Sequence, residues 1–173
     1  MRERRLVHRL WRGDADALRE IYHRHRDVLL AAAMALVNDR QTAEDCVHDV
    51  FVRFAAEPQQ LQASRNLRGY LVRCVANRAR NVLRRRQLEQ NPATDCQGDV
   101  DARDCPAGRL IASEESNRVF AALAQVPDEQ REVIALHIHG QMRFREIAEQ
   151  LGLSINTVQS RYRYGIEKLR TLL

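Results

Sequence analysis

The residues with the clearest chemistry lie near the end of the chain, in the run Phe144-Arg-Glu-Ile-Ala-Glu-Gln-Leu-Gly-Leu-Ser-Ile-Asn-Thr-Val158. The run reads as two helices joined by a tight turn. Ala148 is small, so a second helix can cross close to it, and Gly152 allows the positive φ that the turn needs. Ile147, Leu151, Leu153 and Val158 are spaced to hold the two helices together, and Ser154 stands where it can cap the second. Asn156, Gln159, Ser160 and Arg163 are then expected to face outward from the first half of that helix. Carboxamide, hydroxyl and guanidinium groups in that position can hydrogen-bond base edges in a major groove. A solvated helical hairpin shares the periodicity, but the small residues and the Gly favour DNA binding.

A second constellation is basic. Arg73, Arg78, Arg80, Arg84, Arg85 and Arg86 crowd one stretch, and Arg73, Asn77, Arg80 and Arg84 recur at steps of four, three and four. Such a helix face offers repeated phosphate contacts. A charge run is more often merely solvated; the DNA-binding unit downstream tips this one toward nucleic acid. A third group, Asp45, His48, Asp49 and Val52, forms the outward face of another helix and by itself predicts only a wet surface. His23-Arg-His25 and His137-Ile-His139 lack a third ligand at useful spacing, so no metal site is expected. There is no phosphate-binding Gly loop, nucleophile elbow or HExxH, and the carboxylates form no acid/base pair, which disfavours an enzyme, a catalytic residue and a cofactor. Trp11 is expected in the core rather than as a stacking platform.

Helices must position these groups. The chain has 173 residues, 45 % of them hydrophobic, with only 7 Gly and 4 Pro, which disfavours a turn-rich β fold. The longest apolar run, Val28 to Val37, falls short of the roughly 20 residues a bilayer span needs, and no signal-peptide core follows the N-terminus; a soluble cytoplasmic protein is expected. Apolar periodicity predicts a short helix over Leu6–Arg12, a long one from an Asp14 cap to Val37, and one opened by a capping box at Thr42-Ala-Glu-Asp45 that buries Ala43, Cys46, Val47, Val50, Phe51 and Phe54. A loop over 57–66 and a long helix from Leu67 follow. Ser113 can cap a helix holding Val119, Phe120 and Leu123. Pro127 suits the first turn of the next, which carries Val133, Leu136 and Ile138 and stops at Gly140. Val158, Tyr162, Ile166, Leu169 and Leu173 should face inward on the last.

Charge divides the chain further. The net charge is +5, carried by 27 Arg and a single Lys, Lys168. Arg suits phosphates and guanine edges, although a GC-rich genome would also favour it. Residues 1–86 hold 18 basic and 10 acidic residues, 87–116 hold 2 and 7, and 117–173 hold 8 and 6. Residues 87–112 have no periodicity and read as a flexible acidic linker, which a polyanion should repel while the blocks beside it engage. The expectation is an all-α chain of two small helical domains, 1–86 and 113–173, joined by that linker. Cys46 and Cys74 fall on apolar faces. Cys96 and Cys105 fall in the linker, where reduced thiols are expected over a redox pair.

Three stretches together resemble the sigma-70 family of bacterial transcription initiation factors, in its small extracytoplasmic-function (ECF) group. Thr42-Ala-Glu-Asp-Cys-Val-His-Asp-Val-Phe-Val-Arg-Phe54 is similar to the region 2 helix that binds core polymerase. Asn66-Leu-Arg-Gly-Tyr-Leu-Val-Arg-Cys-Val-Ala-Asn-Arg-Ala-Arg-Asn-Val-Leu-Arg-Arg-Arg86 is similar to the helix that handles the −10 element. Val126-Pro-Asp-Glu-Gln-Arg-Glu-Val-Ile-Ala-Leu136 onward to Leu169 is similar to region 4. The resemblance implies docking on the β′ clamp of RNA polymerase through Asp45, His48 and Asp49, and contact with the −10 strand through Arg73, Asn77, Arg80 and Arg84. It also implies capture of an unstacked base between Ala56 and Asn66. The second domain would bind the β flap and read the −35 element with Asn156, Thr157, Gln159, Ser160, Arg161, Arg163 and Tyr164. The further partners implied are promoter DNA and an inhibitory anti-sigma factor. The family often has Gln at the position of His48, Asp at that of Asn81 and Arg at that of Tyr164. The alternative from the residues alone is a helix-turn-helix regulator that never engages polymerase.

Overall fold

The computed structural model describes residues 2–61, 66–89 and 114–173, and all regular structure among them is helical. Helix α1 (Arg2–Trp11) buries Leu6, Val7 and Leu10 on one face. Gly13, at φ 90°, turns the chain, and the Asp14 carboxylate accepts the N–H groups of Asp16 and Ala17 to start α2 (Ala15–Val37). Asn38 ends α2 in the left-handed conformation at φ 51°, which Asn tolerates better than most residues.

Helix α3 (Arg40–Ala56) starts two residues before the expected capping box. Asp39 is the cap. Its carboxylate accepts the Thr42 N–H at 2.9 Å and the Thr42 hydroxyl, while Thr42 itself is buried. The extended backbone of Asp39 aims a stronger acceptor at the open helix end than a Thr hydroxyl would. The stretch expected as a loop contains a short 3-10 turn, Pro58–Gln60. Helix α4 (Leu67–Glu89) runs past the expected boundary at Arg86. The first three residues of the expected linker, 87–89, are thus helical; the rest of it, with Cys96 and Cys105, lies outside the described residues, as does Ser113.

The second half comprises α5 (Glu114–Ala124), α6 (Asp128–Ile138), α7 (Phe144–Leu151) and α8 (Ile155–Leu172). Leu136 is fully buried but Ile138 is 46 % exposed, because two residues along a helix carry a side chain about 200° around the axis. Leu173 and Val119 are likewise exposed, the first at the chain end, the second outside the cluster that Ala35 makes with Leu123, Val126 and Ile134.

The two halves pack against each other. Leu136, Ile147 and Val158 belong to the same core as Leu29, Leu71 and Val75, and Ala35 of α2 joins the small cluster of α5 and α6. Full burial of one such Leu or Ile stabilises by about 1.5–3 kcal/mol. Hydrogen bonds reinforce the seam. The Asn66 side-chain oxygen Oδ1 accepts the Gly69 N–H at 2.8 Å, and its Nδ2 donates to the carbonyls of Gly140 (3.2 Å) and Gln141 (3.4 Å). Arg68 donates to the carbonyl of His139 at 2.5 Å. A Cβ on Gly69 would stand 2.6 Å from the Asn66 amide nitrogen and 3.0 Å from the Gly140 oxygen, so the fit requires Gly there.

Candidate nucleic-acid interface

The turn between α7 and α8 is built as its residues dictate. Glu146 accepts the Arg143 N–H at 2.7 Å to start α7, and Gly152 closes it at φ 66°. Ser154 Oγ accepts the Thr157 N–H at 3.0 Å to start α8. Ile147, Ala148 and Val158 are buried in the crossing. On the other side of α8, Gly165 presses on α6: a Cβ there would meet Ile134 Cδ1 at 2.7 Å. Gly165 was not foreseen from the sequence, although a Gly inside an otherwise continuous amphipathic helix signals such a close approach.

The residues expected to read the −35 element divide into two groups. Asn156, Gln159, Arg163 and Tyr164 are exposed, and Ser160 is half-buried. Arg163 lies over the ring of Tyr164, 4.9 Å from its centre, and donates to its hydroxyl at 3.2 Å. Thr157 and Arg161 are engaged within the fold. The Thr157 hydroxyl is 2.8 Å from Ser154 Oγ, and Arg161 pairs with Glu129 of α6 at 2.5 Å.

On α4, Arg73, Asn77, Arg80 and Arg84 share one face. Asn77 and Arg84 are exposed. Arg73 is half-buried with its guanidinium 5.0 Å from the centre of the Tyr70 ring, a cation–π distance. Arg80 crosses the seam to pair with Glu132 of α6. Arg80, Arg84, Glu129, Glu132 and Arg161 line a cleft of about 470 Å³ between the halves. The other arginines of the run are partly committed: Arg78 to Asp49 at 2.6 Å, Arg86 to the Thr42 hydroxyl at 2.6 Å. Burial alone would raise the Asp39 carboxyl, but the Thr42 hydroxyl and N–H, with Arg86 nearby, hold it below the usual carboxylate range.

The outward face of α3 presents Asp45 and His48 exposed, Asp49 shared with Arg78, and Val52 51 % exposed. Of the segment 56–66, residues 62–65 lie outside the described residues.

The histidines and thiols take other parts. His137 stacks on Phe144 at 4.5 Å and meets Tyr162 edge-on at 4.9 Å. His25 is buried 3.3 Å from Glu3, and burial lowers its pKa against the pull of that carboxylate. Burial pushes the Cys46 thiol up to about 11, so it stays protonated. Among the described residues no group of three His, Cys, Asp or Glu is arranged to hold a metal, and no helix is long and apolar enough to cross a membrane.

Comparison with known proteins gives two family matches in chain order: Sigma-70 region 2 over residues 21–89 and Sigma-70, region 4 over residues 116–169. The chain is 23 % identical over 171 residues to the ECF RNA polymerase sigma factor SigW of Bacillus subtilis, covering 94 % of this chain and 91 % of that one. It is 28 % identical over 171 residues to the ECF RNA polymerase sigma factor SigL of Mycobacterium tuberculosis, covering 93 % and 91 %. Its fold is similar to the sigma factor RpoE of Bartonella quintana, solved in complex with the anti-sigma factor NepR, with a TM-score of 0.71 at 23 % identity over 89 % of this chain and 94 % of that one.

Proposed function

We propose the following division of labour for this chain, which belongs to the sigma-70 family of bacterial transcription initiation factors and to its ECF group. The chain binds core RNA polymerase and directs promoter-specific initiation. Residues 1–86 dock on the β′ clamp through Asp45, His48 and Asp49 and hold the −10 strand along Arg73, Asn77, Arg80 and Arg84. Residues 113–173 bind the β flap and read the −35 element from α8, and residues 87–112 connect the two. Of the α8 residues, the exposed Asn156, Gln159, Arg163 and Tyr164 and the half-buried Ser160 reach base edges, while Thr157 and Arg161 support from the cap and from α6. Unstacking a base costs a few kcal/mol, and the guanidinium groups of α4 offset that cost by neutralising strand phosphates. The factor acts in the bacterial cytoplasm, needs no catalytic residue, cofactor or metal of its own, and is held inactive by an anti-sigma partner that binds both halves.

The observation that carries this reading is two polar surfaces, the exposed face of α8 and the Arg/Asn face of α4, on one chain in the order of the family's two regions. The test is reconstitution with core polymerase on a promoter library. Initiation from templates sharing one −35 and one −10 sequence is expected. A regulator that works without polymerase would bind duplex DNA alone and direct no initiation.

A further inference from the structure

Trp11, the last residue of α1, does more than fill the core. It is half-buried, and its indole N–H is shared between the carbonyls of Pro58 and Leu61, each 3.1 Å away. The Gln59 side chain donates in return to the carbonyl of Trp11 at 3.5 Å. Between those two carbonyls, the carbonyl of Gln60 accepts the Tyr70 hydroxyl of α4 at 2.6 Å. The 3-10 turn that leaves α3 is therefore gripped from both sides, by an aromatic side chain of α1 and one of α4, and Leu61 beside it is fully buried. One turn beyond Tyr70 on the same helix stands Arg73, with its guanidinium over the Tyr70 ring.

We propose that Trp11 is a positioning residue for −10 recognition: its N–H fixes the 58–61 turn, the turn fixes the Tyr70 ring through the hydroxyl, and the ring fixes Arg73. The choice of residue supports this. Phe would fill the same space, but only the indole carries a donor that can reach both the Leu61 carbonyl at the end of the 3-10 turn and the Pro58 carbonyl, which also accepts the Leu61 N–H. A guanidinium held over a ring loses less freedom when it meets a phosphate or a base, so its contact is stronger than that of a mobile Arg. The proposal rests on the reading that Arg73 meets the −10 strand.

The experiment uses the full chain with core polymerase and a single-stranded −10 non-template oligonucleotide. Trp11→Phe is expected to weaken oligonucleotide binding by the holoenzyme measurably but by no more than about five- to tenfold, the most that losing one partly buried hydrogen bond can shift the turn away from its binding arrangement. Affinity for core polymerase and discrimination among −35 sequences should match the wild type, which a general loss of stability would not allow. In a double-mutant cycle, Trp11→Phe should add little once Arg73→Ala is present. Tyr70→Phe, which keeps the ring and drops the hydroxyl, should reproduce the defect, and it carries the test if Trp11→Phe does not fold. Undiminished binding by Trp11→Phe and Tyr70→Phe alongside a weakened Arg73→Ala overturns the positioning role alone. Undiminished binding by Arg73→Ala overturns both this role and the reading of Arg73. Additive losses in the cycle also reject the proposal.

Discussion

Arg80 is committed to Glu132 across the cleft, so on the role proposed for Arg80, −10 DNA has to displace a carboxylate before it gains that guanidinium. Glu132→Gln keeps the shape of the side chain and removes its charge. The Arg80 and Glu132 side chains are 50 % and 16 % exposed, which makes this a partly screened pair. Pairs of that kind are worth about 0.2–1 kcal/mol, so removing the competitor should tighten binding by at most about fivefold. The assay is fluorescence anisotropy of the free chain with a single-stranded −10 oligonucleotide at low salt. The gain should fade as salt rises, since added ions screen the pair and the DNA alike. Glu129→Gln is the control. It removes the same charge from the same helix, but its partner, Arg161, lies in the second half. If the two variants tighten binding equally, the effect is the general field of the protein and the Arg80 argument fails. Weaker binding by Glu132→Gln would refute it outright.

Arg163→Ala should reduce discrimination at one −35 base by about 1–3 kcal/mol, measured by selection from a randomised site; unchanged selectivity removes Arg163 from base reading. The double variant His48→Ala/Asp49→Ala should weaken association with core polymerase by about 1–2 kcal/mol, with part of the loss arising from Arg78 left without its carboxylate; pull-down at graded polymerase concentration checks it, and intact association rejects this docking face. Ser154→Ala should lower thermal stability by about 1 kcal/mol through loss of the α8 cap, and a melting curve superposing on the wild type would deny the cap that role. Burial, acting against the raising effect of Glu3, lowers the His25 pKa below its ordinary 6.5, and Arg24 and Arg68 push the same way; His139 is lowered too, by burial and then by Arg68. The folded state thus prefers both rings neutral, so stability is fully present above about pH 6.5 and declines as the pH falls from there toward the folded values. His25→Gln should flatten part of that decline in denaturant titrations at several pH values, and an unchanged slope would show that His25 does not contribute.

Helix content, the order of the helices and the α7–α8 turn were legible in the amino-acid sequence because each depends on neighbours within a few residues. The apolar spacing of Ile147, Leu151 and Val158, a Gly at φ 66° and a Ser cap are local instructions, and local backbone sterics carry them out whatever lies beyond. The arginine run of α4 was legible in the same way, as a composition. Its commitments were not. Whether Arg80 is free or meets Glu132, 52 positions away, depends on α6 lying across α2 and α4, and periodicity contains no term for a contact between helices so distant in the chain. The same holds for the seam. Two small helical domains were expected, and the sequence held no sign of where they would meet: Ala35, Asn66, Gly69 and Gly140 are the residues that let them close, each by being small or by offering one more hydrogen bond. Trp11 is the sharpest case. Its spacing marks it as an inward residue of α1, but the destination of its one N–H was decided only when α3 ended where the indole could reach it, because a hydrogen bond depends on where two groups stand in space and not on how far apart they lie along the chain.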